Sequence, residues 1–181
     1  SLESLFKRFP DAHYVIELKP EENDGVGSFI QEDLNTGVEV ARLINEYRMK
    51  DRVTVASFTD EIIKDFRLQD DDILTAFSEA EALPLMLAVF GGDDSYEIPA
   101  PAGEFLQIPE NYSLNGLDLN LVNDSNVDFL LSAFDLRVHV WTVNDSEAMD
   151  RMLNVENLAG IMTDFPQRLM QKIDAKASSA E

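Results

Sequence analysis

Short β-branched runs alternate with amphipathic helical segments along almost the whole chain of 181 residues. The apolar pattern predicts strands at 14–19, 52–58, 72–77, 104–108, 137–143 and 158–163. It predicts helices at 36–49, 60–68, 79–90, 124–134, 146–153 and 166–173. A strand followed by a helix, repeated about six times, is typical of a parallel sheet with helices packed outside it.

Six such units fit either a doubly wound sheet or part of a closed barrel. A doubly wound sheet usually carries a glycine-rich phosphate turn after its first strand, and here strand 14–19 runs into Pro20 with no glycine fingerprint. A complete (β/α)₈ barrel takes about 250 residues, so six eighths of one takes roughly 190. The predicted fold is therefore α/β, a TIM barrel present as about six βα units over residues 1–173, with a flexible tail over 174–181.

The net charge of −21 argues against nucleic acid as a partner, because the chain would repel a polyanion at long range. There is no cysteine, which excludes disulfides, thiolate metal sites and a cysteine nucleophile. The longest apolar run, 83–90, is too short to span a bilayer, so no integral membrane segment is predicted. Acidic clusters at 21–24, 69–72 and 91–94 fit a solvated surface or, as the alternative, loop carboxylates that bind a cation.

Polar residues at the carboxyl ends of the predicted strands are the candidates for chemistry, because that edge of a barrel holds the active site. Glu17 and Lys19 lie two residues apart and share one face of their strand. A carboxylate and an ammonium there could hold a hard cation and a phosphate oxygen together. The alternative is an ion pair without a chemical role.

Other strand ends leave two interpretations open. Ser57 could contact a substrate or cap the next helix, and Trp141 could line a site or pack in the core. The runs 144–147 and 163–166 resemble helix starts, which capping alone explains. His13 begins a strand and His139 lies within one, so neither is a convincing general base.

Four motifs together resemble the glycerophosphodiester phosphodiesterase family. They are Tyr-Val-Ile-Glu-Leu-Lys at 14–19, Val-Thr-Val-Ala-Ser-Phe at 53–58, Val-His-Val-Trp-Thr-Val-Asn at 138–144 and Gly-Ile-Met-Thr-Asp-Phe-Pro at 160–166. They occur in the family's order and approximate spacing. The resemblance implies a TIM barrel of the PLC-like phosphodiesterase type that hydrolyses a small-molecule glycerophosphodiester to glycerol 3-phosphate and an alcohol, with Ca²⁺ or Mg²⁺.

The resemblance also implies roles for individual residues. Glu17 matches a metal ligand, and Lys19 matches the catalytic lysine that neutralises the phosphate. The residues that match substrate-binding positions at the barrel mouth are Ser57, Phe58, Trp141 and Asn144. Thr163 and Asp164 match a motif with a structural role.

The family's His-Arg-Gly, Glu-Asn and His-Asp motifs, which supply both catalytic histidines and most metal ligands, have no counterpart here. The resemblance thus implies the last six βα units of the barrel, and we expect these 181 residues alone to be inactive. One alternative is a non-enzymatic interaction module that self-associates through open barrel edges. Another is a related diester hydrolase of the sphingomyelinase D-like type, which shares a tryptophan and a polar residue three positions later. The compartment is left open.

Overall fold

The structure is a computed structural model that describes residues 1–20, 31–100, 103–114 and 116–178. Its helices are α1 Leu2–Arg8, α2 Gln31–Glu46, α3 Asp60–Gln69, α4 Glu79–Gly91, α5 Asp124–Phe134, α6 Ser146–Leu153 and α7 Pro166–Ser178. Its strands are β1 Tyr14–Glu17, β2 Val53–Ala56, β3 Phe105–Pro109, β4 Asn111–Leu114, β5 Leu117–Asn120, β6 Arg137–Trp141 and β7 Gly160–Ile161. The chain divides into two compact units.

The first unit comprises Ser1–Leu85 and Glu97–Glu104. Its strands β1 and β2 are parallel, with Tyr14 beside Val53 and Glu17 beside Ala56. Its core consists of buried side chains from the helices and from one face of the strands, among them Phe6, Ile44, Val53, Val55, Ile62, Ile63 and Phe66. Each strand therefore turns one face to the helices, as an α/β layer requires.

The second unit comprises Met86–Tyr96 and Phe105–Glu181. Its strands form a parallel sheet in the order β3-β6-β7, with Pro109 beside Trp141 and Val140 beside Ile161. Helix α5 packs on β6. The fully buried residues of the sheet alternate with half-buried ones, so the sheet has a helix-facing side that carries Leu106, Ile108, Val138 and Val140.

An antiparallel hairpin of β4 and β5, which the sequence analysis did not predict, follows β3 directly. It occupies the connection from β3 to α5, where an uninterrupted βα unit would have a plain loop. The Asn-Gly pair at 115–116, between two alternating runs, is the usual signal of a tight hairpin turn. Gly116 has φ of +83°, a conformation that glycine adopts without strain.

Several predicted strands are shorter in the structure. The strand predicted at 72–77 was wrong in extent, because within this stretch it is reduced to bridges at Thr75 and Ala76, of which that of Thr75 runs parallel to Val55. The buried Arg67 side chain donates hydrogen bonds to Thr75 Oγ1 and to the Ala76 carbonyl, so this carbonyl bonds to a side chain. The strand predicted at 158–163 is reduced to β7, and helix α2 begins before residue 36, at Gln31. Residues 31–35, ahead of the predicted helix start, are thus helical as well, and residues 21–30 lie outside the described residues.

In the tail predicted to be flexible over 174–181, residues 174–178 are helical as the end of α7, and the flexibility of the tail stays a prediction. Alanine and lysine in this stretch favour helix, and Lys176 Nζ donates to Asn154 Oδ1 at 3.1 Å. Residues 179–181 lie outside the described residues, and the domain extent over 1–173 stays a prediction. None of the helices described is long and apolar enough to cross a membrane.

Candidate active site

Glu17 and Lys19 lie at the carboxyl end of β1 and are brought together by it. Lys19 Nζ is 3.4 Å from Glu17 Oε2, and both side chains are exposed to solvent to a substantial degree. Tyr14 and Ile16 pack on the helix-facing core, so Val15 and Glu17 lie on the opposite face of β1. The two side chains lie close together, as a shared strand face predicts, and the roles of metal ligand and catalytic lysine stay predictions.

Ser57 follows β2 and is only 3% exposed. Its hydroxyl donates to the Leu18 carbonyl at 2.8 Å and accepts from the Thr59 N–H at 3.1 Å. The side chain thus ties the end of β1 to the start of α3, since Leu18 follows Glu17 directly. This geometry favours the structural interpretation of Ser57, and its contact with a substrate stays a prediction.

Phe58 is 54% exposed at the loop between β2 and α3. It lies in a bend after the end of β2, next to the buried Ser57. A large exposed aromatic ring beside a strand end can serve as an apolar wall for a ligand. Its role at the mouth stays a prediction.

In the second unit, Trp141 ends β6 on the sheet face that does not carry Val138 and Val140. It is half-buried, and its peptide bond to Thr142 is cis. The same face carries Gln107, His139 and Gly160, which the register places side by side. Trp141 is the member of this row nearest the carboxyl edge, the edge that holds chemistry in barrels.

Asn144 connects the loops that follow β6 and β7. Its Nδ2 donates to Asp164 Oδ2 at 2.7 Å, and its Oδ1 accepts from the Asp164 N–H at 2.9 Å and the Thr163 hydroxyl at 3.2 Å. Arg168 donates to the Asn144 carbonyl at 3.0 Å. These hydrogen bonds favour a structural role for the motif of Thr163 and Asp164 and hold the two loops together, and contact of Asn144 with a substrate stays a prediction.

His139 lies within β6 and is packed rather than presented at an edge. Its ring centroid is 4.8 Å from that of Phe105, and its Nδ1 is 3.4 Å from Gln107 Nε2. Burial, with the cation of Arg137 as a second cause, holds the pKa of His139 below its ordinary value. A neutral, packed imidazole fits the expectation that this residue is not the general base.

A buried ion pair in the first unit was missed by the sequence analysis. Arg67 Nη1 donates to Glu81 Oε1 at 2.6 Å, and the Arg67 side chain is 4% exposed. Glu81 also accepts from the Ser78 N–H at 2.8 Å. The pair joins α3 to the start of α4, and no motif signals it because amphipathic helices normally present arginine to solvent.

The acidic cluster at Asp70, Asp71 and Asp72 brings three carboxylates within 4.8 Å of one another, close enough to hold a metal ion. Lys50 Nζ is 2.7 Å from Asp70 and 3.3 Å from Asp72, and its hydrogen bond lowers the pKa of Asp70. A cation would have to displace this lysine. The cluster follows α3 and precedes the Thr75 bridge, so it lies at the edge opposite to Glu17.

Each unit has parallel strands with helices beside them and carries its candidate residues at the carboxyl ends of the strands, as α/β proteins of the TIM-barrel type do. A family model described as the glycerophosphoryl diester phosphodiesterase family matches residues 1–168. The chain belongs to this family. Comparison with curated protein sequences finds no match.

Solved structures agree on the fold. A glycerophosphoryl diester phosphodiesterase domain from Mycobacterium tuberculosis matches with a TM-score of 0.70 and 14% identity, covering 94% of this chain and 62% of its own. A glycerophosphodiester phosphodiesterase from Parabacteroides distasonis matches with a TM-score of 0.61 and 18% identity, and the match covers 97% of this chain and 64% of that one. A glycerophosphodiester phosphodiesterase from Agrobacterium tumefaciens matches with a TM-score of 0.61 and 15% identity, and the match covers 93% of this chain and 58% of that one. This chain thus spans at most 64% of the length of these structures.

Proposed function

We propose that the protein containing this chain hydrolyses glycerophosphodiesters to glycerol 3-phosphate and an alcohol, with Ca²⁺ or Mg²⁺. The observation that carries the proposal is the pair of Glu17 and Lys19, 3.4 Å apart at the carboxyl end of β1. Membership of the family supports it. The substrate class follows from the family, and the pair supplies the two charges that a phosphodiester and its metal need.

Glu17 fits a hard cation by its chemistry, since Ca²⁺ and Mg²⁺ prefer carboxylate oxygen. A cation bound there would neutralise charge on the phosphoryl oxygens. Lys19 would hold a phosphoryl oxygen by its ammonium group and oppose the negative charge that grows in the transition state. In the first unit, Ser57 and Phe58 would contact the substrate, Phe58 by its exposed ring. In the second unit, Trp141 and Asn144 would do so, and Asn144 would also hold its own loop in place.

Glu17 alone is too few ligands for either cation, because both bind six or more oxygens. We propose that these 181 residues on their own do not turn over substrate. Turnover by the isolated chain, measured as glycerol 3-phosphate released with metal and abolished by a chelator, would overturn this part of the proposal.

The proposal is tested by the Lys19→Met variant of the full-length protein with glycerophosphocholine as substrate. We expect kcat to fall about a hundredfold or more, the usual cost of removing one charge-stabilising group from a transition state. The Lys64→Met variant is the matched control, because Lys64 is an exposed lysine of α3 whose ammonium group pairs with Asp60. An unchanged kcat in Lys19→Met would remove this lysine from the reaction.

A wild-type protein without any metal-dependent hydrolysis would instead favour the interaction module. Among the described residues, β1 pairs only with β2, and β7 pairs only with β6. Val15 on β1 is also half exposed. Open parallel edges of this kind favour association, and we propose that isolated copies of this chain self-associate through them.

A further inference from the structure

The side-chain amide of Asn144 has a defined orientation, because its partners fix which end is oxygen and which is nitrogen. A backbone N–H only donates, so the atom that faces the Asp164 N–H at 2.9 Å is the amide oxygen. The amide nitrogen then donates to Asp164 Oδ2 at 2.7 Å. An amide nitrogen carries two hydrogens, and its hydrogen bonds to the described residues use one of them. The second hydrogen is therefore left to donate to an oxygen of a ligand.

Arg168 holds the main chain of the same residue. Its Nη1 donates to the Asn144 carbonyl at 3.0 Å, and its guanidinium carbon lies 4.6 Å from the centroid of the Phe165 ring. Stacking of a guanidinium on an aromatic ring restricts the freedom of an otherwise long and exposed side chain. Asn144 is thus fixed at both ends, by residues 163–164 at its amide and by Arg168 at its carbonyl.

Helix α7 itself gives no reason for an arginine at this position. Arg168 is the third residue of α7, and the first turn of this helix contains no acidic residue. A cation near the N-terminus of a helix is unfavourable, because the free N–H groups there carry partial positive charge. A residue that goes against the local preference, yet has specific partners in another loop, points to a role in a functional site.

We propose that Arg168 is a positioning residue for substrate binding. By holding the Asn144 carbonyl, Arg168 keeps the Asn144 amide turned so that its second Nδ2 hydrogen is donated to an oxygen of the bound diester. The inference rests on the proposed function, in which Asn144 contacts the substrate, and it adds the residue that orients this contact. Arg168 acts through Asn144 and does not itself touch the substrate.

The test is a double-mutant cycle on the full-length protein, with glycerophosphocholine as substrate and saturating Mg²⁺ or Ca²⁺. Arg168→Met should raise KM about threefold or more and leave kcat within about twofold, because ground state and transition state lose the same contact. Asn144→Ala should raise KM up to about tenfold, the effect of one lost hydrogen bond. Arg168→Met added to Asn144→Ala should raise KM no further, because the amide through which Arg168 acts is then absent.

Two further variants separate positioning from a general contribution to the fold. Arg168→Lys keeps a donor for the Asn144 carbonyl and a cation for the Phe165 ring, so its KM should stay close to that of the wild type. Lys172→Met is the matched control, because Lys172 is a cation of the same helix whose Nζ lies 2.7 Å from Asp150 Oδ2. If Asn144→Ala does not fold, the comparison of Arg168→Met with Arg168→Lys decides the question.

The inference would be overturned by an unchanged KM in Arg168→Met, or by equal increases in KM for Arg168→Met and Lys172→Met. An increase in KM that persists in the Asn144→Ala background would also overturn it. Hydrolysis by the wild type together with any of these results leaves the proposed function standing.

Calorimetric titration with glycerophosphocholine in the presence of EDTA measures binding without turnover. A wild type that binds this diester but does not hydrolyse it with metal would count against the proposed function. The inference would still be supported if the dissociation constants of the variants then followed the pattern expected for KM. A wild type that neither binds nor hydrolyses glycerophosphocholine would contradict both.

Discussion

Three residues on one sheet face form a close-packed group in which the neutral form of a histidine is favoured. His139 lies between Gln107 and Gly160 in the register, and a Cβ added at Gly160 would come within 2.8 Å of the His139 ring. The absence of a side chain at Gly160 therefore leaves room for the His139 ring. Burial and the Arg137 cation then disfavour protonation of that ring.

The lowered pKa of His139 predicts that the fold loses stability on mild acidification. The unfolded chain takes up the proton near the ordinary histidine pKa of about 6.5, whereas the folded chain takes it up only at lower pH. The free energy of unfolding should thus fall as the pH drops from about 7.5 to about 5.5. Urea titrations across this range should show a smaller fall for His139→Gln.

The control for this effect is His13→Gln, which changes the other histidine of the chain at a position just before β1. Equal slopes for wild type and His139→Gln would show that the buried imidazole does not couple folding to pH.

At the residue scale, the sequence placed Glu17 and Lys19 together because period-two alternation alone puts them on one strand face. It could not show the burial of Arg67, since that depends on Glu81 and Thr75 meeting it from other elements. Nor could the sequence show that the Ser57 hydroxyl donates a hydrogen bond to the carbonyl of Leu18, a residue 39 positions earlier. Contacts between distant segments require the fold to be known first.

At the scale of elements, the start of α5 carries an arrangement that serves both the helix and the hairpin. Asn123 caps the helix by accepting from the Asn126 N–H at 3.0 Å, and its Nδ2 donates to Asn120. Asn123→Ala should lower the free energy of unfolding by about 1 kcal/mol, the usual cost of losing such a cap. Chemical denaturation measures the change.

Ser132→Ala serves as the comparison for Asn123→Ala. Ser132 lies exposed near the end of the same helix, and its hydroxyl makes only a 3.4 Å contact to the Phe129 carbonyl. Its replacement should leave stability close to that of the wild type. An equally small change in Asn123→Ala would mean that the cap and the hairpin bond contribute little to folding.

Helix α6 begins and ends where the sequence predicted, because Asp145 is a strong N-cap and the helix has a regular apolar stripe. The Asp145 side chain accepts from the Ala148 N–H at 2.9 Å.

The hairpin was missed because the sequence analysis did not use the Asn-Gly signal at 115–116. The strand at 72–77 was too long in prediction because apolar residues alone do not reveal whether a neighbouring strand pairs with them.

At the scale of the whole molecule, the family and the parallel α/β architecture could both be predicted from the order of the motifs and the strand–helix alternation. Within the part of the chain that the structure describes, β1 and β7 each pair with a single strand, which leads to a prediction about association. Isolated copies of the 181-residue chain should increase in mean mass with concentration by light scattering. A mass that stays at 20.4 kDa across the concentration series would contradict self-association.

The most direct test of the account is the metal requirement of glycerophosphocholine hydrolysis by the full-length protein. Rates are measured over a series of Mg²⁺ or Ca²⁺ concentrations. Half-maximal activity of Glu17→Gln should require a metal concentration at least about tenfold higher than that of the wild type, because even mutations of residues that only hydrogen-bond to metal ligands typically weaken metal affinity about tenfold or more. Glu61→Gln, an exposed glutamate of α3, should follow the wild type. Superimposable activation curves for wild type and Glu17→Gln would contradict the assignment of Glu17 as a metal ligand.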